Sequence, residues 1–133
     1  MTYGSKTALT ISLNSLANGS SVVSNAFDNT SSKYNDIAFQ LVYKYGTAPT
    51  AGNTIVISVL GSLDNSTFDD IVSVPMLNVP LTADTSSHAT SFFLNSLFGG
   101  IVPPPYLKIK VTNNGGQALA ASGNSLSYMG VTI

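Results

Sequence analysis

The chain has 133 residues, of which 44% are hydrophobic and only 8% are charged, and its net charge at neutral pH is −1. This length matches one domain, so we predict a single domain over residues 1–133, and the hydrophobic share excludes a disordered chain. Its cations are five lysines without arginine, too few to form the basic patch that nucleic-acid binding requires.

Serine, threonine and asparagine supply about a third of the residues. These side chains compete for backbone hydrogen bonds inside helices and are better suited to turns and exposed strand faces. Cysteine is absent, which excludes a disulfide framework and a thiolate nucleophile. No apolar run approaches the ~20 residues of a membrane span, so we expect no membrane association and no signal peptide.

Period-two alternation is the strongest pattern in the chain, and it predicts strands. Residues 36–45 place five apolar or aromatic side chains on one face, from Ile37 to Tyr45. Residues 53–61 are apolar on both faces, whereas in 106–113 Leu107, Ile109 and Val111 alternate with polar residues. In chain order, the predicted strands are 7–13, 21–24, 36–45, 53–61, 68–74, 77–81, 88–94, 106–113 and 125–133.

Turn-forming residues separate these short strands, among them Asn18-Gly19, Asp64-Asn65 and Gly123-Asn124. This spacing predicts an all-β fold, an antiparallel β-sandwich that is jelly-roll-like and has about eight strands. An immunoglobulin-like sandwich is the alternative, although its Cys and Trp markers are missing. Residues 91–98 also satisfy helical spacing, and there we favour a strand that runs into a loop. We expect residues 1–5 and 28–33 to be the most mobile.

The residues offer little for catalysis. His88 is the sole histidine, so a Ser-His-Asp triad has one candidate base, and no Gly-x-Ser-x-Gly elbow or phosphate loop occurs. We assign His88 a structural or solvent-exposed role. The sequence therefore predicts that the protein is not an enzyme and that it uses no cofactor.

A cluster of oxygen ligands, Asp64, Asn65, Asp69 and Asp70, is the best candidate for a calcium site. Its spacing does not match an EF-hand loop, and a tight turn followed by a strand explains the same residues. We therefore predict a turn and no metal site.

Two resemblances add to this interpretation. The run from Val59 to Ile71, V-L-G-S-L-D-N-S-T-F-D-D-I, resembles a hairpin of discoidin-type, galactose-binding-like sandwich domains, and residues 106–113 resemble a late strand of those domains. Asn65 stands where that pattern prefers glycine, and the family's Trp residues are absent. This resemblance covers a minority of the chain and implies a jelly-roll topology more than sugar binding.

The second resemblance spans most of the chain and is to small virion proteins of tailed bacteriophages. It is carried by residues 8–19 (A-L-T-I-S-L-N-S-L-A-N-G), Ser24-Asn25, Asp28-Asn29-Thr30, the turn at 61–64, the loop at 98–104 (F-G-G-I-V-P-P) and the ending at 127–131 (S-Y-M-G-V). It implies a capsid cement or decoration protein on the capsid surface, with the major capsid protein as its partner. A near-zero net charge gives little colloidal repulsion, so we also expect a homo-oligomer.

We expect two segments to contact partners. One is the stiff loop at 99–106, which Phe98 flanks and where three prolines fix the backbone, and the other is the N-terminal arm at 2–6. The predicted contact residues are Phe98, Ile101, Val102, Pro103, Pro104, Pro105, Tyr106, Thr2, Tyr3 and Lys6. The alternative function is a carbohydrate-binding module or an adhesin-like tail component, whose exposed aromatic platform would be drawn from the six tyrosines.

Overall fold

The computed structural model describes residues 1–70, 76–97 and 103–133. It contains ten β-strand segments and two single-turn helices. Their bounds are β1 Thr2–Tyr3, β2 Thr7–Ala8, β3 Ser21–Val23, β4 Phe27–Asp28, α1 Asn29–Ser32, β5 Asp36–Tyr43, β6 Thr54–Ser62, β7 Met76–Pro80, β8 His88–Phe93, α2 Leu94–Leu97, β9 Tyr106–Asn114 and β10 Ser125–Thr132.

The strands form two antiparallel sheets. β1 and β2 pair with the same side of β10, and β3 and β4 pair with the same side of β9, so each couple acts as one interrupted edge strand. The first sheet, called sheet A, then has the order β1/β2, β10, β5, β8, and sheet B has the order β3/β4, β9, β6, β7. The chain crosses from one sheet to the other after every strand except β6, and eight strands in this order form a jelly roll, which confirms the predicted fold.

One hydrophobic core lies between the two sheets. β5 alternates strictly between buried and half-buried residues, and Ile37, Phe39 and Leu41 are almost fully buried. In sheet B, Leu107, Ile109 and Val111 face inward with no exposed surface. β6 is buried on both faces, as its double apolar pattern predicts, because Ser58 and Leu60 on its outer face are also covered.

Several segments differ from the predicted elements. Residues 1–5 and 28–33 were expected to be mobile, yet they form β1 and the helical turn α1. Asp28 caps α1: its carboxylate accepts hydrogen bonds from the backbone N–H groups of Thr30 and Ser31. The predicted strand at 7–13 shrinks to β2, and β8 continues into the helical turn α2 rather than into a loop. Most of the predicted strand at 68–74 lies outside the described residues.

A buried polar cluster closes the sandwich at the end where β9 finishes. The Tyr45 hydroxyl donates to Asn113 Oδ1 over 2.6 Å, and Asn113 Nδ2 donates to the carbonyls of Leu16 and Gln117. Burial, followed by the charge of nearby Tyr43, raises the pKa of Tyr45 to about 12. The cluster ties the loop before β3 to the loop after β9 without any charged group.

The raised pKa of Tyr45 predicts a loss of stability at alkaline pH. An unfolded tyrosine releases its proton near pH 10, whereas folded Tyr45 keeps its proton up to about pH 12. Its contribution is therefore complete below pH 10 and falls by about 2 kcal/mol as the pH rises from 10 to 12. Tyr45→Phe should flatten the stability profile in this range, measured by urea unfolding, while exposed Tyr3→Phe should leave it unchanged. Equal profiles for wild type and Tyr45→Phe would contradict this assignment.

Candidate functional site

The N-terminal arm and the proline loop, which the sequence marks separately, lie at the same end of the sandwich. Tyr3 pairs with Val131 near the finish of β10. The proline loop leads into Tyr106, the first residue of β9, which pairs with Ser62 at the finish of β6. We call this region, formed by residues 2–3, 29–35 and 103–106, the contact end.

Asn29 and Asn35 hold the two segments of the contact end together. The Asn29 backbone N–H donates to the Pro105 carbonyl over 2.9 Å. The Asn29 side chain, which is buried, accepts from the Tyr34 N–H over 2.9 Å and donates to the Tyr34 carbonyl over 3.1 Å. Asn35 then donates its backbone N–H to the Val131 carbonyl over 2.8 Å. Backbone bonds thus link the proline loop of sheet B to the β1–β10 pair of sheet A.

The Tyr34 ring packs on the backbone of β10 at Gly130. A Cβ added at Gly130 would overlap this ring, so the close approach requires glycine. The ring also stacks on Phe27 with a centroid separation of 6.3 Å, and Phe27 meets Tyr128 edge-on at 4.8 Å. Residues 29–35 are therefore fixed by aromatic packing as well as by hydrogen bonds.

The role of Asn29 can be tested by Asn29→Ala. This change leaves the Tyr34 N–H and carbonyl without their side-chain partners, and we expect it to lower the free energy of unfolding by about 2 kcal/mol. Asn25→Ala is the matched control because the Asn25 side chain is exposed. Denaturant unfolding of both variants measures the difference. Equal stability of the two variants would show that Asn29 does not fix this end.

The predicted contact residues differ in how much surface they offer. Thr2 and Tyr3 are exposed, Tyr3 by 62%, and β1 pairing fixes their backbone. Pro104, Pro105 and Tyr106 are half-buried, whereas Pro103 is buried and offers little surface for binding. The remaining predicted residues of this loop, Phe98, Ile101 and Val102, lie outside the described residues.

Lys6 lies just outside the contact end, in the break between β1 and β2. Its Nζ donates to Gln40 Oε1 over 2.9 Å on the outer face of sheet A. It borders a shallow hollow of about 170 Å³ whose lining includes Phe93 and Met129. β1 and β2 run in one direction along the same side of β10, so Lys6 lies only a few positions along this edge from the Tyr3–Val131 pair.

An open groove of about 510 Å³ adjoins the proline loop. Pro104 lines it on one side and the turn after β6 on the other, with Gly61, Ser62, Leu63, Asp64, Thr67 and Asp69. No spacing in the sequence indicates that Pro104 meets this turn, because the contact depends on the pairing of β6 with β9. The groove joins the contact end to the segment that resembles a discoidin-type hairpin.

The aspartates of this groove bind the backbone of their own turn. Asp64 Oδ1 accepts from the Thr67 and Ser66 N–H groups, and these bonds hold the pKa of Asp64 below its usual value. Asp69 Oδ2 accepts from the Gly61 N–H over 3.1 Å. Asn65 adopts the left-handed conformation with φ = 62°, which explains how it replaces the glycine of the discoidin pattern. Within residues 1–70, 76–97 and 103–133, no group of three or more acidic, His or Cys side chains is placed to hold a metal.

His88 stabilises the loop that precedes β8. Its Nε2 lies 2.7 Å from Asp84 Oδ1 and 3.3 Å from Thr82 Oγ1, and its ring stacks on Tyr43 at 5.7 Å. A catalytic triad needs the acid on one ring nitrogen and the nucleophile on the other. Here both partners approach the same nitrogen, which matches the structural role predicted for this residue.

Comparisons with known proteins identify no family for this chain. No family model and no curated protein matches the chain. Among solved structures, the chain is weakly similar to the enzymatically active domain of tailspike protein 4 of bacteriophage CBA120, with a TM-score of 0.37 and 8% identity. The match covers 97% of this chain and 19% of the tailspike chain. That protein comes from a phage, but a likeness this low carries no argument about the function of this chain.

Within the described residues, no helix is long and apolar enough to cross a membrane.

Proposed function

We propose that the protein is a structural component of a phage virion, a cement or decoration protein that binds the major capsid protein on the capsid surface. The observation that carries this proposal is the convergence of β1 and the proline loop at one end, joined through Asn29 and Asn35. The resemblance of the sequence to small virion proteins of tailed phages supports it. On this proposal the protein works by binding and catalyses no reaction.

The contact end has the chemistry of a binding surface. Tyr3 supplies an exposed aromatic side chain on a paired strand, and tyrosine is among the residues that dominate binding energy in interfaces. Around it, hydroxyl and amide groups can form hydrogen bonds without the cost of removing charges from water, and Lys33 is the one charged side chain of the contact end. Such a surface can bind a polar area of a capsid subunit and hold it by shape and hydrogen bonding.

Binding to capsids that lack the protein tests this proposal. We expect Tyr3→Ala to weaken binding by roughly tenfold or more in a co-sedimentation assay, because it removes the most exposed aromatic side chain of the contact end. The matched control is Gln117→Ala, an exposed residue in the loop after β9, and β9 itself spans roughly 27 Å from the contact end to that loop. Gln117→Ala should bind like wild type.

Two outcomes would overturn the proposal. One is wild-type protein that does not sediment with capsids at any concentration tested. The other is a loss of binding with Gln117→Ala that equals the loss with Tyr3→Ala, since the contact end would then have no special role. Circular dichroism of each variant confirms that both remain folded.

The six tyrosines do not form the aromatic platform expected of a carbohydrate-binding module. Tyr43 and Tyr45 belong to the core, and Tyr34, Tyr106 and Tyr128 are half-buried. Tyr3 alone among the six is largely exposed. Because a sugar-binding platform needs several exposed rings side by side, we propose no second function.

A further inference from the structure

The four sheet edges of the sandwich differ in how they are protected against pairing with another strand. An edge strand presents free backbone N–H and C=O groups, and proteins usually blunt such edges with breaks, bulges, proline or charge. Three of the four edges carry one of these devices. The fourth edge is β8.

The edge of sheet A opposite to β8 is broken between β1 and β2, and charged Lys6 lies in the break. The first edge of sheet B is broken between β3 and β4, where the Ser24 hydroxyl accepts the Ile109 N–H over 2.9 Å in place of a regular strand bond. The second edge of sheet B, β7, finishes at Pro80, which cannot donate a backbone hydrogen bond. Each of these edges is a poor template for a further strand.

β8 has none of these features. It pairs with β5 in six consecutive register positions from Ala38–Phe93 to Tyr43–His88, so it contains no bulge. Its sequence, H-A-T-S-F-F, has no proline, lysine or carboxylate. Within the part of the chain that the structure describes, no strand or loop backbone pairs with its outer side. Phe93, at the end of β8, is 44% exposed on the outer face of sheet A.

We propose that β8 is a self-association edge, where two copies of this chain pair their β8 strands antiparallel about a two-fold axis. A two-fold interface requires a strand that is complementary to itself. If the axis passes at Ser91, the two Ser91 residues face each other, and each Phe93 lies opposite Ala89 of the other copy. These three side chains share the outer face of the strand, so a large ring covers a small residue on both sides of the axis.

A second copy is the occupant that the charges favour. β8 carries no carboxylate or ammonium group, and a chain with a net charge of −1 repels its copy only weakly. The pairing would join two four-stranded sheets into one continuous sheet of eight strands. A six-residue edge buries less area than a standard interface, so the association has low affinity and is best measured at high protein concentration. This interface is distinct from the contact end and does not depend on capsid binding.

Single-cysteine variants test the geometry, because the chain has no cysteine of its own. In the paired strands, the Cβ atoms of the two residues at position 91 lie about 5 Å apart. A short bis-maleimide should therefore join Ser91→Cys into a covalent dimer. The control is Ser125→Cys on β10, two strands inward on the same sheet, where the two copies lie more than ~20 Å apart. Ser125→Cys should remain uncross-linked.

Charge variants test the energetics by sedimentation velocity. Ser91→Lys places two ammonium groups face to face on the axis, and we expect it to weaken dimerisation by roughly tenfold or more. Ser125→Lys adds the same charge away from the axis and should dimerise like wild type. Both residues are exposed, so neither change should prevent folding.

Wild-type protein that stays monomeric at high concentration would overturn the proposal. Equal weakening of the dimer by Ser91→Lys and Ser125→Lys would also overturn it, since the dimer interface would then lie away from β8. Dimerisation without capsid binding would leave this inference intact and reject the proposed function. Capsid binding by a protein that stays monomeric would reject this inference and leave the proposed function intact.

Discussion

Asn113→Ala is expected to lower the free energy of unfolding by about 4 kcal/mol, because it leaves several buried polar groups without partners. Asn113 has no exposed surface, and its amide makes four hydrogen bonds. Its Oδ1 accepts from the Tyr45 hydroxyl and the Gly115 N–H, and its Nδ2 donates to the Leu16 and Gln117 carbonyls. Urea unfolding followed by circular dichroism measures the loss.

Asn114→Ala is the control for this prediction. Asn114 is the next residue in β9, and its side chain is exposed. The same chemical change there should alter stability by less than about 0.5 kcal/mol. If the two variants unfold at the same urea concentration, the cluster around Asn113 does not hold the two loops together.

Phe39→Ala is expected to cost about 3–5 kcal/mol, since it opens a cavity at the centre of sheet A. The Phe39 ring is almost fully buried and stacks on Phe92 with a centroid separation of 5.3 Å. Phe39 and Phe92 also face each other in the β5–β8 register, so the change removes a cross-strand aromatic pair. Thermal and urea unfolding should both show the loss.

Phe93→Ala removes the same ring from the opposite face of sheet A. Phe93 follows Phe92 directly but points outward, so at low protein concentration its loss should change stability by less than about 1 kcal/mol. A similar loss in both variants would mean that the assignment of inner and outer faces along β8 is wrong.

The sequence predicts the central strands well because their signal is local. The alternation in β5 and β9 follows from burial on one face of a strand, and the double apolar pattern of β6 follows from burial on both faces. The sequence predicts the jelly-roll class of fold but not which strands pair with which. Which strands become neighbours depends on pairs such as Tyr3–Val131, which are separated by nearly the whole chain.

The errors arise where nonlocal contacts order a polar segment. Residues 28–33 have no apolar period and were predicted to be mobile. The Asp28 cap, the Tyr34 ring on Gly130 and the bond from Asn29 to Pro105 order the region. Of these, the capping aspartate is the one signal that the sequence carries, since Asp is among the residues preferred at a helix N-cap.

The candidate site was predictable in part. Position and proline content point to the N-terminal arm and the proline loop. Their meeting at one end of the sandwich could not be predicted, because it depends on backbone bonds of Asn29 and Asn35. The bond from Lys6 to Gln40 was equally out of reach of the sequence pattern, because it joins residues 34 positions apart.

Cryo-electron microscopy of purified particles from the source tests the central claim most directly. The proposal predicts jelly-roll density at regular positions on the capsid lattice, with the contact end at Tyr3 and Pro104 facing the shell. Particles that lack this chain, or that carry it only on the tail, would contradict the assignment to the capsid.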